Sequence, residues 1–298
     1  MSRPGSRTGG HTLIEVVVAL GLMLLVAAGV ITLLMQTSRL ARAHPERSEL
    51  HQRARVALDL ITRDLRAAGA GVYLGPATGP LPDAIPAIWP RRLGRGGDSS
   101  STARTDVITV LAVPDTLAQT VSLVATPPSS SAIVIEPAGH CTPTRPACGF
   151  ARGITVGAFE PSGRLGLWSV ERVINQTLSV QTLAPASEQL SAGAVVAELR
   201  VRGYAHDGTL RQLRYFDGDA TNQPVIDAVS AFSLRYFDAA GELPLSVFTD
   251  GPWRGSGETM FDEDLLRIRR VRVTVELAEG GARYAATVDV APRNVGRS

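Results

Sequence analysis

From Leu13 to Met35 every residue is apolar, small or neutral, with the single exception of Glu15. Wound as a helix, about twenty such residues cover roughly 30 Å, the thickness of a bilayer's hydrocarbon core. A carboxylate near the start of such a run is out of place. An ionisable side chain at membrane depth costs roughly 2.5–3.5 kcal/mol on insertion scales, less near an end. Two readings of Glu15 are open at this point, a place at the headgroup level or a function. The flanks do not orient the segment, because Arg3 and Arg7 precede it while Arg39, Arg42 and Arg47 follow. A secretory signal peptide needs an apolar region of about 7–15 residues and then a small-residue cleavage site. Val26-Ala27-Ala28-Gly29 has small residues, but the run continues past Gly29 and Glu15 stands where an apolar residue is expected.

Helical spacing continues beyond the apolar run. Leu50, Ala54, Ala57, Leu58, Ile61, Leu65 and Ala68 recur every three or four residues, and the other face carries Glu49 and Arg53, Asp59 and Arg63 at i,i+4 spacing. Gly69 and Gly71 supply a stop, and Pro45 predicts a kink or short break near His44. One half of this helix is apolar all round; the other has a single stripe, which the rest of the chain must cover.

From about residue 72 the composition changes to loops rich in Pro, Gly, Ser and Thr, separated by short β-like runs. These include "DVITVLAV", "ITVGAF", "LGLWSVERV", "AVVAELRVRGYAH", "VSAFSLRYF", "IRRVRVTVELA" and "RYAATVDV". Several alternate apolar with polar, as strands of an antiparallel sheet buried on one side do. "LRYFD" occurs twice, at residues 213–217 and 234–238, which fits two similar strands and falls short of a repeat architecture.

Little here points to catalysis. Net charge is +2 with every basic side chain an arginine, so no bulk electrostatic footprint indicates nucleic acid or anionic lipid. Cys141 and Cys148 enclose a six-residue loop with two prolines. Outside the cytoplasm a disulfide is the natural reading and would contribute about 2–3 kcal/mol; a metal site with His140 and a pair of free thiols are the rivals. The Gly-Asp-Ser of "GGDSSST" follows no apolar strand and precedes no helical pattern, so it does not form a nucleophile turn. Asp262, Glu263 and Asp264 lack the alternating spacing of a calcium loop and read as a solvated turn. His44 and His51 read as surface residues. No cofactor and no metal are expected.

The amino terminus carries the information. A short basic leader ends in Gly9-Gly10, followed by His11-Thr12-Leu13-Ile14-Glu15, the apolar run and the amphipathic helix. This order resembles the type IV prepilin signature, a leader ending in Gly before a Phe-Thr-Leu-Ile-Glu motif. Gly10 matches the residue before the cut, and His11 stands where Phe is usual and where the new terminus is N-methylated. More weakly, "RVALDLITRDLRAAG" and the strands "TDVITVLAV" and "VIDAVSAFSLRYFD" resemble PilW-type minor pilins and J-type minor pseudopilins of type II secretion. The resemblance implies an α+β fold: leader 1–10, transmembrane helix 11–35, amphipathic helix 36–70 and an extracytoplasmic antiparallel β-rich domain 71–298. It further implies a non-enzymatic subunit that primes or caps a pilus or pseudopilus, anchored in the inner membrane with its amino terminus cytoplasmic. Implied partners are prepilin peptidase, other pilins or pseudopilins, the assembly platform and membrane lipid. Glu15 would pair with a neighbour's terminal amine. Two alternatives remain: a DNA-binding pilin, using the arginines of "LLRIRRVRV" against phosphates although the near-neutral charge speaks against nucleic acid, and a membrane-anchored extracytoplasmic enzyme.

Overall fold

The computed structural model describes residues 12–74, 78–114, 117–185, 188–219, 221–255 and 257–295, with the side chains of 36–47 outside that description. The chain divides into two units, residues 1–49 and 50–298, each taken by itself below. A single helical element, α1, runs Leu13–Ala67. Of the kink or short break expected near His44, the break is absent, since Pro45 lies inside the continuous element. A proline removes one intrahelical hydrogen bond, and a helix this long has many others.

Within the second unit α1 is fixed by its stripe. Leu50, Ala54, Ala57, Ile61, Leu65 and Ala68 are all buried in the main core, and Leu58 packs half-buried beside them. Each large aliphatic among them contributes about 1.5–3 kcal/mol on leaving water. The small residues Ala54, Ala57 and Ala68 let the helix lie close to the strands beneath. The stop falls where the glycines predict. Gly69 takes a left-handed φ of +69° and donates its N–H to Leu111 O at 2.9 Å, which ties the end of the helix to a strand. On the solvent face Asp59 pairs with Arg55 at 3.9 Å instead of Arg63, because Arg63 leans to Asp64, 3.7 Å away. Arg53 reaches Glu279 at 2.7 Å.

The strands of three or more residues are, in chain order, β1 (Val107–Ala112), β2 (Gln119–Val121), β3 (Ala132–Val134), β4 (Thr155–Phe159), β5 (Leu165–Ile174), β6 (Thr177–Ala184), β7 (Val195–Glu198), β8 (Arg200–Asp207), β9 (Gln212–Phe216), β10 (Gln223–Ile226), β11 (Val229–Phe237), β12 (Arg270–Glu279) and β13 (Ala282–Val290). They form three main antiparallel sheets. One has the order β10-β9-β8-β1 and ends on the short strand Ile88–Trp89; another runs from Glu242–Leu243 through β11 and β12 to β13. In the latter the sequence alternation is realised residue by residue: Val271, Val273, Val275 and Leu277 are buried, and Arg272, Thr274 and Glu276 lie on the opposite face.

The third sheet has the order β2-β7-β4-β5-β6-β3 and does not stay open. Ser122 bridges to Ile135, Leu123 N–H donates to Val134 O at 2.8 Å, and Glu136 N–H donates to Val121 O at 2.9 Å. The first and last strands are thereby joined, and the sheet closes into a small barrel. Its interior is a second core of Ile133, Ile135, Val156, Ala158, Trp168, Val170, Leu178, Val180 and Val196. Alternate residues of the same strands, Phe159, Leu165, Leu167, Leu183, Val195 and Ala197, belong to the main core. Strands of the barrel are therefore buried on both sides, which explains why "ITVGAF" and "AVVAEL" read as nearly continuous apolar runs. The expectation of sheets buried on one side fails here for that reason.

The barrel is an insertion at the tip of a hairpin. β1 and β8 are adjacent antiparallel partners, with Ala112 opposite Arg200, and residues 113–199 leave and return at that end. "AVVAELRVRGYAH", which reads as one strand, is consequently two. β7 belongs to the barrel and β8 to the open sheet, and the turn between them is Leu199, buried and donating its N–H to Thr155 O at 2.9 Å. In β8, Gly203 leaves room for the Phe216 ring, into which any Cβ at that position would run.

Tyr236 is 1% exposed, packs edge-on against Phe248, and its hydroxyl has no hydrogen-bond partner among the described residues. Burial pushes its ionisation well above the ordinary tyrosine range. Removing an unpaired buried hydroxyl relieves a desolvation cost of about 1–3 kcal/mol and leaves only a small void. Tyr236→Phe is expected to hold or raise the Tm in a thermal melt; a clear fall would mean the hydroxyl has a partner.

Candidate functional site

The first candidate is the head of α1. Glu15 sits in the first turn, and its Oε2 accepts hydrogen bonds from the Thr12 backbone N–H at 3.1 Å and the Thr12 hydroxyl at 3.2 Å. The N–H groups of Glu15 and Val16 donate to the Thr12 carbonyl. Thr12 thus occupies the N-cap position and Glu15 the third helical position, the spacing at which a carboxylate reaches back to the cap amide. The carboxylate also faces the positive end of the helix dipole. This partner within the chain was missed by the sequence reading, although Thr12-x-x-Glu15 carries the signal. Gly10 and His11, expected at a cleavage and N-methylation site, lie outside the described residues. Leu13–Met35 is long and apolar enough to cross a membrane, and its Leu13, Ile14, Met23 and Leu25 are each more than 70% exposed.

A second group lies where α1 meets β8. Asp64 is buried, accepts a 2.6 Å hydrogen bond from the Tyr204 hydroxyl and pairs with Arg202 at 3.1 Å. Desolvation and the Asp64 carboxylate both drive the Tyr204 ionisation far upward, so the phenol stays a donor. The sequence had a hint of this group. Asp64 falls three residues after Ile61 and four before Ala68, a charge inside a stripe that is otherwise apolar. It clamps the helix to the sheet.

Cys141 and Cys148 stand at disulfide distance, with Cα atoms 5.6 Å apart. The segment they pinch places Ala147 and Phe150 in the barrel core. His140 is near both sulfurs, but two sulfurs set at disulfide distance from each other are not placed as separate thiolate ligands.

Other motifs are spent on structure. Asp98 of the Gly-Asp-Ser loop accepts the Arg92 N–H at 2.7 Å and pairs with Arg104 at 3.4 Å. The turn of Asp262, Glu263 and Asp264 is not solvated as expected. Asp262 is fully buried, because in the folded loop the N–H groups of Gly251 at 2.6 Å and Asp264 at 2.9 Å take the place of water at its carboxylate. Asp250 lies close to Asp262 and Asp264, but Asp264 is held by Arg267 at 2.7 Å. Three of the four arginines of "LLRIRRVRV" are likewise in ion pairs, Arg267 with Asp238 and Asp264, and Arg270 and Arg272 with Asp289 at 3.0 and 2.7 Å, while Arg269 donates to the Leu266 carbonyl at 3.4 Å. His51 packs edge-on against Tyr284; the side chain of His44 lies outside the described residues.

Over 61 residues, 20% of its length, the chain is 43% identical to the pilin-like protein PilA3 of Thermus thermophilus. The likeness supports a type IV pilin-like chain. The aligned part covers 26% of that relative, about a quarter of its length. No family profile matches the chain, and no solved structure matches it.

Proposed function

We propose that the chain is a minor pilin or pseudopilin, non-enzymatic, that primes or caps a type IV pilus or a type II secretion pseudopilus. The observation that carries this reading is the head of α1. His11-Thr12-Leu13-Ile14-Glu15 follows directly on Gly9-Gly10 and leads into a 23-residue apolar helical segment, Leu13–Met35. The same helix then continues into a stripe buried by a β-rich domain. The pilin-like relative supports the class; the placing at the start or tip of a filament rests on the resemblance to PilW- and J-type subunits.

In this reading prepilin peptidase cuts after Gly10 and His11 becomes the methylated terminus. The chain crosses the inner membrane once, amino terminus cytoplasmic, with residues 71–298 outside. Amino-terminal mass spectrometry of the mature protein tests it: the first residue should be His11, and Gly10→Glu should leave the leader attached by placing a bulky charge at the cut. A start near Gly29 means a signal peptide and overturns the proposal.

The same topology predicts that Cys141 and Cys148 are linked. Protein purified without reductant should take up no alkylating agent until it is reduced and unfolded. Two thiols that alkylate at once would contradict both the bridge and the extracytoplasmic placement.

A further inference from the structure

Exposed strand edges attract other strands, and proteins usually blunt them. The barrel has no edge of this kind, because it closes. The open sheets end on Ile88–Trp89 and Glu242–Leu243, each two residues long, and on β10, four residues interrupted by Pro224. Glu242–Leu243 pairs only with Tyr236 and Phe237 of β11, but farther along that strand the outward N–H groups of Val229 and Leu234 donate to Arg211 O at 2.8 Å and Thr105 O at 2.7 Å; the edge formed by β13 is different. β13 runs nine residues, Ala282–Val290, without a proline, and pairs with β12 along its whole length.

The outward backbone groups of β13 can be assigned. Leu277 lies opposite Val229, yet Ala278 N–H donates to Ala228 O at 2.9 Å, so Leu277 and Val229 form the wide pair of that ladder. Leu277 therefore turns its own N–H and C=O to Tyr284 across β13. Tyr284, Ala286 and Val288 bond inward, and Arg283, Ala285, Thr287 and Asp289 turn theirs away from β12, where no described residue pairs with them as a strand. On the core side Tyr284, Ala286 and Val288 are only half-buried, though they pack on the main core. On the other side Arg283 is exposed and has no ion pair among the described residues.

We propose that β13 is a docking edge that takes an extended, proline-free segment of another protein as a further strand. The segment has small or aliphatic residues on the side of Tyr284, Ala286 and Val288 and a carboxylate near Arg283. The backbone edge fixes the occupant as a strand, since only an extended chain matches a row of alternating donors and acceptors. A second copy of β13 fits less well. Centred on Ala286, it would set Arg283 against Asp289, which Arg270 and Arg272 already hold. This inference goes beyond the filament reading and stands or falls apart from it.

The test uses the full chain in detergent and a fluorescein-labelled peptide of the β12 sequence, Arg270–Glu279, which has an aliphatic face and Glu276. Fluorescence anisotropy should give saturable binding. Ala285→Pro removes an outward N–H and should weaken it at least tenfold with an unchanged melting curve; Arg283→Glu should weaken it several-fold. Should Ala285→Pro unfold the protein, N-methylating the peptide at alternate amides tests the same edge, since one set must abolish binding and the other must not. Absence of saturable binding, equal binding to Ala285→Pro, or indifference to both methylation sets overturns the proposal. A peptide-free dimer that Ala285→Pro dissolves would assign the edge to a second copy and overturn it as well.

Discussion

Glu15→Ala is expected to insert into the membrane and to lose its leader normally, and to fail to enter a filament complex. Insertion survives because removing a charge lowers the cost of burial in lipid. Cleavage survives because Gly10 is untouched. Assembly fails in the proposed reading because a neighbour's buried terminal amine loses its counter-charge, a loss of roughly 3–5 kcal/mol for a buried pair. The Thr12 hydrogen bonds add a second role that must be separated from the first. Loss of a helix cap costs about 1 kcal/mol, too little to abolish assembly. Glu15→Gln separates the two, since glutamine can keep the cap and carries no charge. Co-purification of detergent-solubilised minor subunits should find Glu15→Gln as defective as Glu15→Ala. If the glutamine variant assembles, Glu15 serves as a cap; if alanine assembles too, it is only an interfacial residue.

Asp64→Ala is expected to destabilise the second unit by about 2–4 kcal/mol. The buried Tyr204 hydroxyl loses its acceptor, which costs about 1–3 kcal/mol, and Arg202 loses its ion pair. The guanidinium offsets part of the loss by turning to water, because its side chain is already 32% exposed. For a unit of this size such a change lowers the Tm by roughly 5–15 °C. Asp64→Ala combined with Tyr204→Phe should recover part of the loss, since the orphaned hydroxyl is gone. A double variant no more stable than Asp64→Ala alone would mean the damage comes from the Arg202 pair or from the cavity.

Much of the helix was legible in one dimension, because its determinants are local. The apolar run, the i,i+3 and i,i+4 stripe from Leu50 to Ala68 and the glycine stop depend on residues within a turn or two of one another, and each appears in the structure as spaced in the sequence. The antiparallel β character followed from alternation, and β11 falls on residues 229–237, as its run indicated. Glu15 was legible as an anomaly but not as a cap, although the Thr12 spacing was in view. Tertiary structure decided what depends on distant residues. Whether "AVVAELRVRGYAH" is one strand or two is set by Thr155, which claims the Leu199 amide from more than forty positions away. Closure of the barrel depends on Ser122 meeting Ile135, and the burial of Asp262 on the Gly251 N–H taking the place of water at its carboxylate. Asp64, not singled out in the sequence, takes its role only because β8 brings Arg202 and Tyr204 to it. A sequence displays periodicity along the chain; the partner of a buried polar group is chosen across it, by whichever strand the fold lays alongside.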